Sequence, residues 1–213
     1  MFEAGSIGAA RGGLAGGFPE GRGQSPRRGD HLLGVLMLQT RFPRPLGDIG
    51  HPASFDFEVR RCVVEGATPH RVVQGADPAL LQPFIEAGLL LVRQGCTALS
   101  TSCGFLALWQ SEMQAALPVP VWTSSLLQLA ELRRRRCGVI TINAASLGAC
   151  HFLAVGADPL TPVEGINPDS ALYRTLMQDL PELDQTDAQA QLLAAAQRLR
   201  ARHPHVEDRK SVV

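Results

Sequence analysis

The chain has 213 residues, 45% of them hydrophobic and 19% charged, with 20 basic residues balanced by 20 acidic ones. These proportions indicate one or two globular domains, and the balanced charge leaves no cationic excess for nucleic acid or an anionic membrane surface. The longest apolar runs, such as Leu32 to Leu38, are far shorter than the roughly 20 residues of a membrane-spanning helix. Five scattered cysteines without a Cys-x-x-Cys pair suggest neither a disulfide framework nor a thiolate zinc site, which fits a reducing cytoplasm.

Residues 1–30 hold nine glycines and few large apolar side chains. They bury too little surface to offset ordering and read as a disordered tail without the apolar centre of a secretory signal. From residue 31 the pattern alternates. Continuous apolar runs at Leu32 to Leu38, Thr97 to Ser102, Val119 to Trp122 and Cys137 to Ile142 have the length of strands buried on both faces, and Cys62 lies in a further alternating, strand-like run. Between them, Asp77 followed by Pro78 is an N-cap with proline at the first helical position, leading a helix with Leu80, Leu81, Phe84, Ile85 and Leu89 on one face. Phe105, Trp109 and Met113 mark the next helix. Ser124 or Ser125 caps another, which ends in Arg133 to Arg136, where cations complement the helix dipole. A last amphipathic helix runs from Thr186 to His203, with Thr186 and Gln189 spaced as a capping box.

Strands and helices alternating at these lengths predict an α/β fold of mainly parallel sheets flanked by helices. A short duplication, Gly34-Val-Leu-Met-Leu-Gln39 against Gly138-Val-Ile-Thr-Ile-Asn143, suggests two similar lobes, with 31–124 as the first and 125–207 as the second.

Chemistry concentrates at Ser100-Thr-Ser-Cys-Gly-Phe105, which places Cys103 where a buried strand ends and a helix begins. Ligands of open α/β sheets bind at the carboxyl ends of strands, and a helix N-terminus lowers a thiol's pKa. The alternative for Cys103 is a small buried core residue, the reading that suits the other four cysteines. Asp48 and His51 sit in the Pro/Gly-rich loop after the first strand, also at a carboxyl end. Arg41 and Arg44 in that loop are either carboxylate partners or surface charges.

Together with Gly34 to Gly50, Pro120-Val-Trp-Thr-Ser-Ser125 and Gly165-Ile-Asn-Pro-Asp169, the Cys103 segment resembles the aspartate/glutamate racemase superfamily, which includes hydantoin racemases, arylmalonate decarboxylase and maleate isomerase. The resemblance covers about residues 32 to 207. It implies two pseudo-symmetric lobes, an active site in the cleft between them, one catalytic cysteine from each lobe and no cofactor. It also implies a small-molecule carboxylate substrate and allows a homo-oligomer; it implies neither a nucleic-acid nor a membrane partner. Cys103 is the expected catalytic acid/base, with Thr40, Asp48, Ser102, Gly104, Phe105, Thr123 and Ser124 as substrate contacts. Such racemases commonly carry Asn and Thr where this chain has Gly104 and Phe105, which moves the contacts to backbone groups and other hydroxyls.

Racemisation needs an acid/base group on each face of the substrate carbon. Cys103 follows Gly34 by 69 residues, and the same interval after Gly138 ends at position 207, where no cysteine occurs through to the end of the chain. The last strand of the second lobe is therefore expected to be missing. Residues 208–213, Asp-Arg-Lys-Ser-Val-Val, match a translated sequencing-library adapter and read as a non-native tail on a truncated gene product. The functional expectation is a cofactor-independent, racemase-type isomerase acting on a small, amino-acid-like carboxylate. The alternatives are a single-cysteine decarboxylase of malonate-like substrates and a non-catalytic binding protein.

Overall fold

The computed structural model describes residues 31–132, 136–206 and the backbone of 208–212. The expected N-terminal tail and Arg133 to Arg135 lie outside these residues. The part from His31 onward forms one compact unit built on two parallel sheets, as the alternation predicts.

The first sheet has strand order β2-β1-β3-β4, formed by β1 (Leu33–Leu38), β2 (Val59–Val64), β3 (Ala98–Thr101) and β4 (Val121–Trp122). The side chains of β1 from Val35 to Leu38 are all buried, as expected of a parallel strand covered on both faces. Helix α1 (Leu81–Arg93) packs across it. The Asp77 side chain accepts the N–H of Ala79 at the entry to this helix, through a 3-10 turn at Pro78–Leu80. Helix α2 (Gln110–Ala116) follows a 3-10 turn at Gly104–Trp109, and α3 (Leu127–Glu131) follows β4, with Ser124 Oγ accepting from the N–H of Leu126 at 3.1 Å.

The second sheet has the order β6-β5-β7. It comprises β5 (Cys137–Thr141), β6 (Val163–Gly165) and β7 (Asp208–Val212), accompanied by helices α4 (Ala149–Ala154), α5 (Ala171–Gln178) and α6 (Gln185–Arg202). The repeated Gly-Val motif falls on an interior strand in each sheet, β1 and β5. Both of its glycines lie under a leucine: a Cβ on Gly34 would sit 2.5 Å from Leu99 Cδ2, and one on Gly138 2.8 Å from Leu199 Cδ2.

Three expectations change. Asp208–Val212, read from sequence as a tail, is a strand here and lies parallel to β5 with Cys137 opposite Asp208 and Thr141 opposite Val212. It satisfies backbone groups that an open edge of β5 would leave bare. The last helix is capped by Asp184, whose carboxylate accepts from the N–H groups of Thr186 and Asp187, and Thr186 falls inside the first turn. Strand β6 and helix α5 escaped the sequence reading. The first is only three residues long, and its central Glu164 is buried and paired with Arg198 at 2.7 Å and Arg202 at 2.8 Å, so no apolar run marks it.

Candidate active site

The carboxyl ends of β1, β3 and β4 open onto a cleft of about 620 Å³, lined by Arg44, Asp48, Ser100, Ser102, Cys103, Gly104, Trp122, Ser124, Gln128 and Glu131, among others. Four pieces of sequence converge there: the loop after β1, the β3 terminus, the β4 terminus and α3. Cys103 immediately precedes the 3-10 turn, two residues past β3, in extended conformation (φ −141°, ψ 118°). It also borders a smaller cavity of about 40 Å³ against Phe42, Arg44, Ile142 and Leu176, on the side of the second sheet.

The electrostatics of this thiol differ from the sequence-based expectation. Cys103 is only 4% exposed. Burial pushes its pKa up to about 11, outweighing the N–H groups of Phe105 and Leu106 and the charge of Arg44, which all act in the opposite direction. The expected thiolate at the mouth of a helix is therefore corrected to a neutral thiol, because desolvation penalises the anion more than a short 3-10 turn and one guanidinium favour it. At neutral pH the group is an acid that carries its proton.

Around it, Arg44 is held on three sides. Its Nη1 lies 3.3 Å from the Asp48 carboxylate, its Nη2 donates to Thr40 Oγ1 at 3.1 Å, and its guanidinium carbon stands 4.7 Å over the Phe42 ring. Its Nε is buried and has no partner among the described residues. Asp48 also accepts the N–H of Gly50 at 2.6 Å, which fixes the loop. Ser102 Oγ receives the N–H of Leu38 at 3.0 Å and so locks the ends of β1 and β3 together.

Of the residues singled out from sequence, Asp48, Ser102, Cys103, Gly104 and Ser124 line the cleft. Thr40 reaches it only through Arg44. Thr123 is fully buried behind the wall, with its N–H and hydroxyl both on Gln110 Oε1 at 3.0 and 2.7 Å. Phe105 points into the core, where its ring meets His151 edge-on at a centroid distance of 5.5 Å. Arg41 clasps Asp179 instead, donating from its N–H to Oδ1 at 2.6 Å. His51 caps the turn Pro52–Ser54. Cys150 Sγ lies 3.7 Å from His151 Nδ1, but Cys150 is exposed and His151 buried, and neither lines the cleft. The contacts expected from sequence left out Ser100, Trp122 and Glu131, which line the cleft through strand register and α3, although Ser100 and Trp122 lie in the two quoted motifs. Gln110 stands behind the wall, where it holds Thr123.

The described residues include no group of three or more His, Cys, Asp or Glu able to hold a metal ion, and no helix among them is long and apolar enough to cross a membrane.

The fold, two parallel sheets flanked by helices, is shared with solved structures of arylmalonate decarboxylase and of an Asp/Glu racemase homologue. Among solved structures, a sulfate-associated variant of arylmalonate decarboxylase superposes with a TM-score of 0.57 at 17% identity, covering 84% of this chain and 77% of that one. A candidate Asp/Glu racemase from Yersinia pestis does so at 0.51 and 10% identity, covering 85% of each. No family model matches the chain. The chain is also similar to curated enzymes. Dimethylsulfoniopropionate lyase 6 of Emiliania huxleyi is 33% identical over 153 residues, 68% of this chain and 38% of that protein. Lyase 7 of the same organism is 36% identical over 136 residues, 60% and 40%. A dimethylsulfoniopropionate lyase of Durusdinium is 28% identical over 184 residues, 81% and 59%. The chain thus spans about two fifths of the length of the first relatives.

Proposed function

We propose that the chain is the Cys103-bearing part of a cofactor-independent lyase that acts on a small carboxylate by moving a proton at the carbon next to the carboxyl group. The observation that carries this reading is a cysteine thiol beside an anchored guanidinium on the floor of a cleft large enough for a small metabolite. The lyase relatives point to a β-sulfonium carboxylate, with dimethylsulfoniopropionate the first to test.

The substrate carboxylate approaches Arg44, displacing part of its interaction with Asp48, and the Cys103 sulfur faces the adjacent carbon. For elimination, thiolate Cys103 takes the α-proton, the C–H electrons form the carbon–carbon double bond, and the bond from the β-carbon to sulfur breaks. Dimethyl sulfide leaves with that electron pair, and an unsaturated carboxylate remains. A thiol of high pKa makes a strong base once ionised, and a cationic substrate lying alongside favours the ionised form.

A second reading is favoured by the protonated state of Cys103. A neutral thiol is already the species needed to protonate a carbanion left by decarboxylation of a malonate, and the decarboxylase fold supports it. Racemisation, the expectation from sequence, needs a second acid/base group on the opposite face; among the described residues lining the cleft, Cys103 is the one thiol.

The test is gas-chromatographic detection of dimethyl sulfide over purified protein with dimethylsulfoniopropionate. Release that falls by about 10² to 10⁴-fold in Cys103→Ser supports the lyase. Carbon dioxide from a substituted malonate without dimethyl sulfide shifts the assignment to the decarboxylase.

A further inference from the structure

Trp122 is a large aromatic residue left half in water, with 50% of its surface exposed. It ends β4, where it pairs in register with Ser100, and Ser100 Oγ donates to its carbonyl at 3.1 Å. This bond fixes the position from which its side chain borders the Cys103 cleft. The charge there is uneven. Among the described residues that line the cleft, two carboxylates, Asp48 and Glu131, stand with one guanidinium, Arg44, which Asp48 already faces at 3.3 Å. A cleft designed for a simple anion would carry the opposite balance. An aromatic ring and two carboxylates lining one cleft suit a methylated onium group, which is attracted to the ring's electron-rich face and to negative charge but donates no hydrogen bond.

We propose that Trp122, assisted by Glu131, is the specificity-determining contact for a cationic headgroup, so that the cleft selects a zwitterion with its carboxylate at Arg44 and its sulfonium or quaternary ammonium at the tryptophan. The inference rests on reading the Cys103 cleft as the substrate site and adds what distinguishes the substrate from other small carboxylates. Trp122 touches the end of the substrate away from the reacting carbon, so its role is selection and not proton transfer.

The experiment measures binding, so that turnover is not needed. In a Cys103→Ser background, which prevents consumption, calorimetry compares dimethylsulfoniopropionate with 4-methylpentanoate, its neutral-headed isostere. The expected result is a preference for the sulfonium of about three- to thirtyfold. Trp122→Leu removes this preference by weakening the sulfonium more than the isostere, and Trp122→Phe retains part of it. Far-ultraviolet dichroism confirms that each variant is folded. Equal affinity for the two ligands, equal loss of both in Trp122→Leu, or binding of neither overturns the proposal. Selective sulfonium binding with no dimethyl sulfide released by the unsubstituted protein upholds this inference and rejects the lyase reading.

Discussion

Cys103 combines two properties that pull apart: a place on the wall of a cleft and a sulfur almost fully removed from water. Its raised pKa, about 11 against an ordinary value near 9, has a thermodynamic consequence. The folded state holds the thiol proton more tightly than the unfolded state, so the associated stability is complete below pH 9 and is lost as pH rises through 11. The loss is about 2–3 kcal/mol. Denaturant unfolding between pH 8 and 11 should show a decline that Cys103→Ser reduces. The same pKa separates the two chemistries. Elimination, which needs the thiolate, should gain about tenfold in kcat/KM per pH unit between pH 7 and 9, whereas protonation after decarboxylation should stay level there. The position of this cysteine was legible in the sequence, because a hydroxyl-rich strand end followed by glycine is a local signal. Its protonation state was not, since it depends on burial in the folded chain, where Cys103 shares a small cavity with Phe42, Ile142 and Leu176, residues far from it in sequence.

Elements were readable where one physical cause dominated. The interior strands β1, β3 and β5 announced themselves as apolar runs, and α1 by Asp77-Pro78 at its start. Elements stabilised by distant partners were silent. Strand β6 is held by Glu164 against two arginines of α6, a pairing across more than thirty residues that no local pattern displays. Thr123 looked like a cleft hydroxyl because it borders Ser124, but successive residues past a strand face opposite ways, and Gln110 takes it to the rear. Helix α6 closes the second sheet through Leu199, which is fully buried over Gly138. Leu199→Ala should cost about 2–5 kcal/mol in equilibrium unfolding. Removing the exposed Arg41 side chain, which pairs with Asp179, should cost no more than about 1 kcal/mol. If the two substitutions proved equal, the account of what holds the second sheet would need revision.

At the scale of the molecule, two parallel sheets place their strand ends around a common region, and chemistry collects there because loops can vary while the sheets hold them in place. The parallel α/β class and the likeness to the racemase fold could be read from sequence, because the alternation of strands and helices and the cysteine segment at a strand end are local patterns. The kind of reaction could not, since one fold hosts racemases and lyases alike and only the site's charge and thiol state distinguish them. The central claim is that Cys103 moves a proton at the carbon adjacent to a substrate carboxylate. The most direct measurement is proton NMR of dimethylsulfoniopropionate with the protein in deuterium oxide. The account predicts formation of the unsaturated acid or deuterium entry at the α-position, either one abolished by Cys103→Ser. Formation or exchange that continues undiminished in that variant would contradict it.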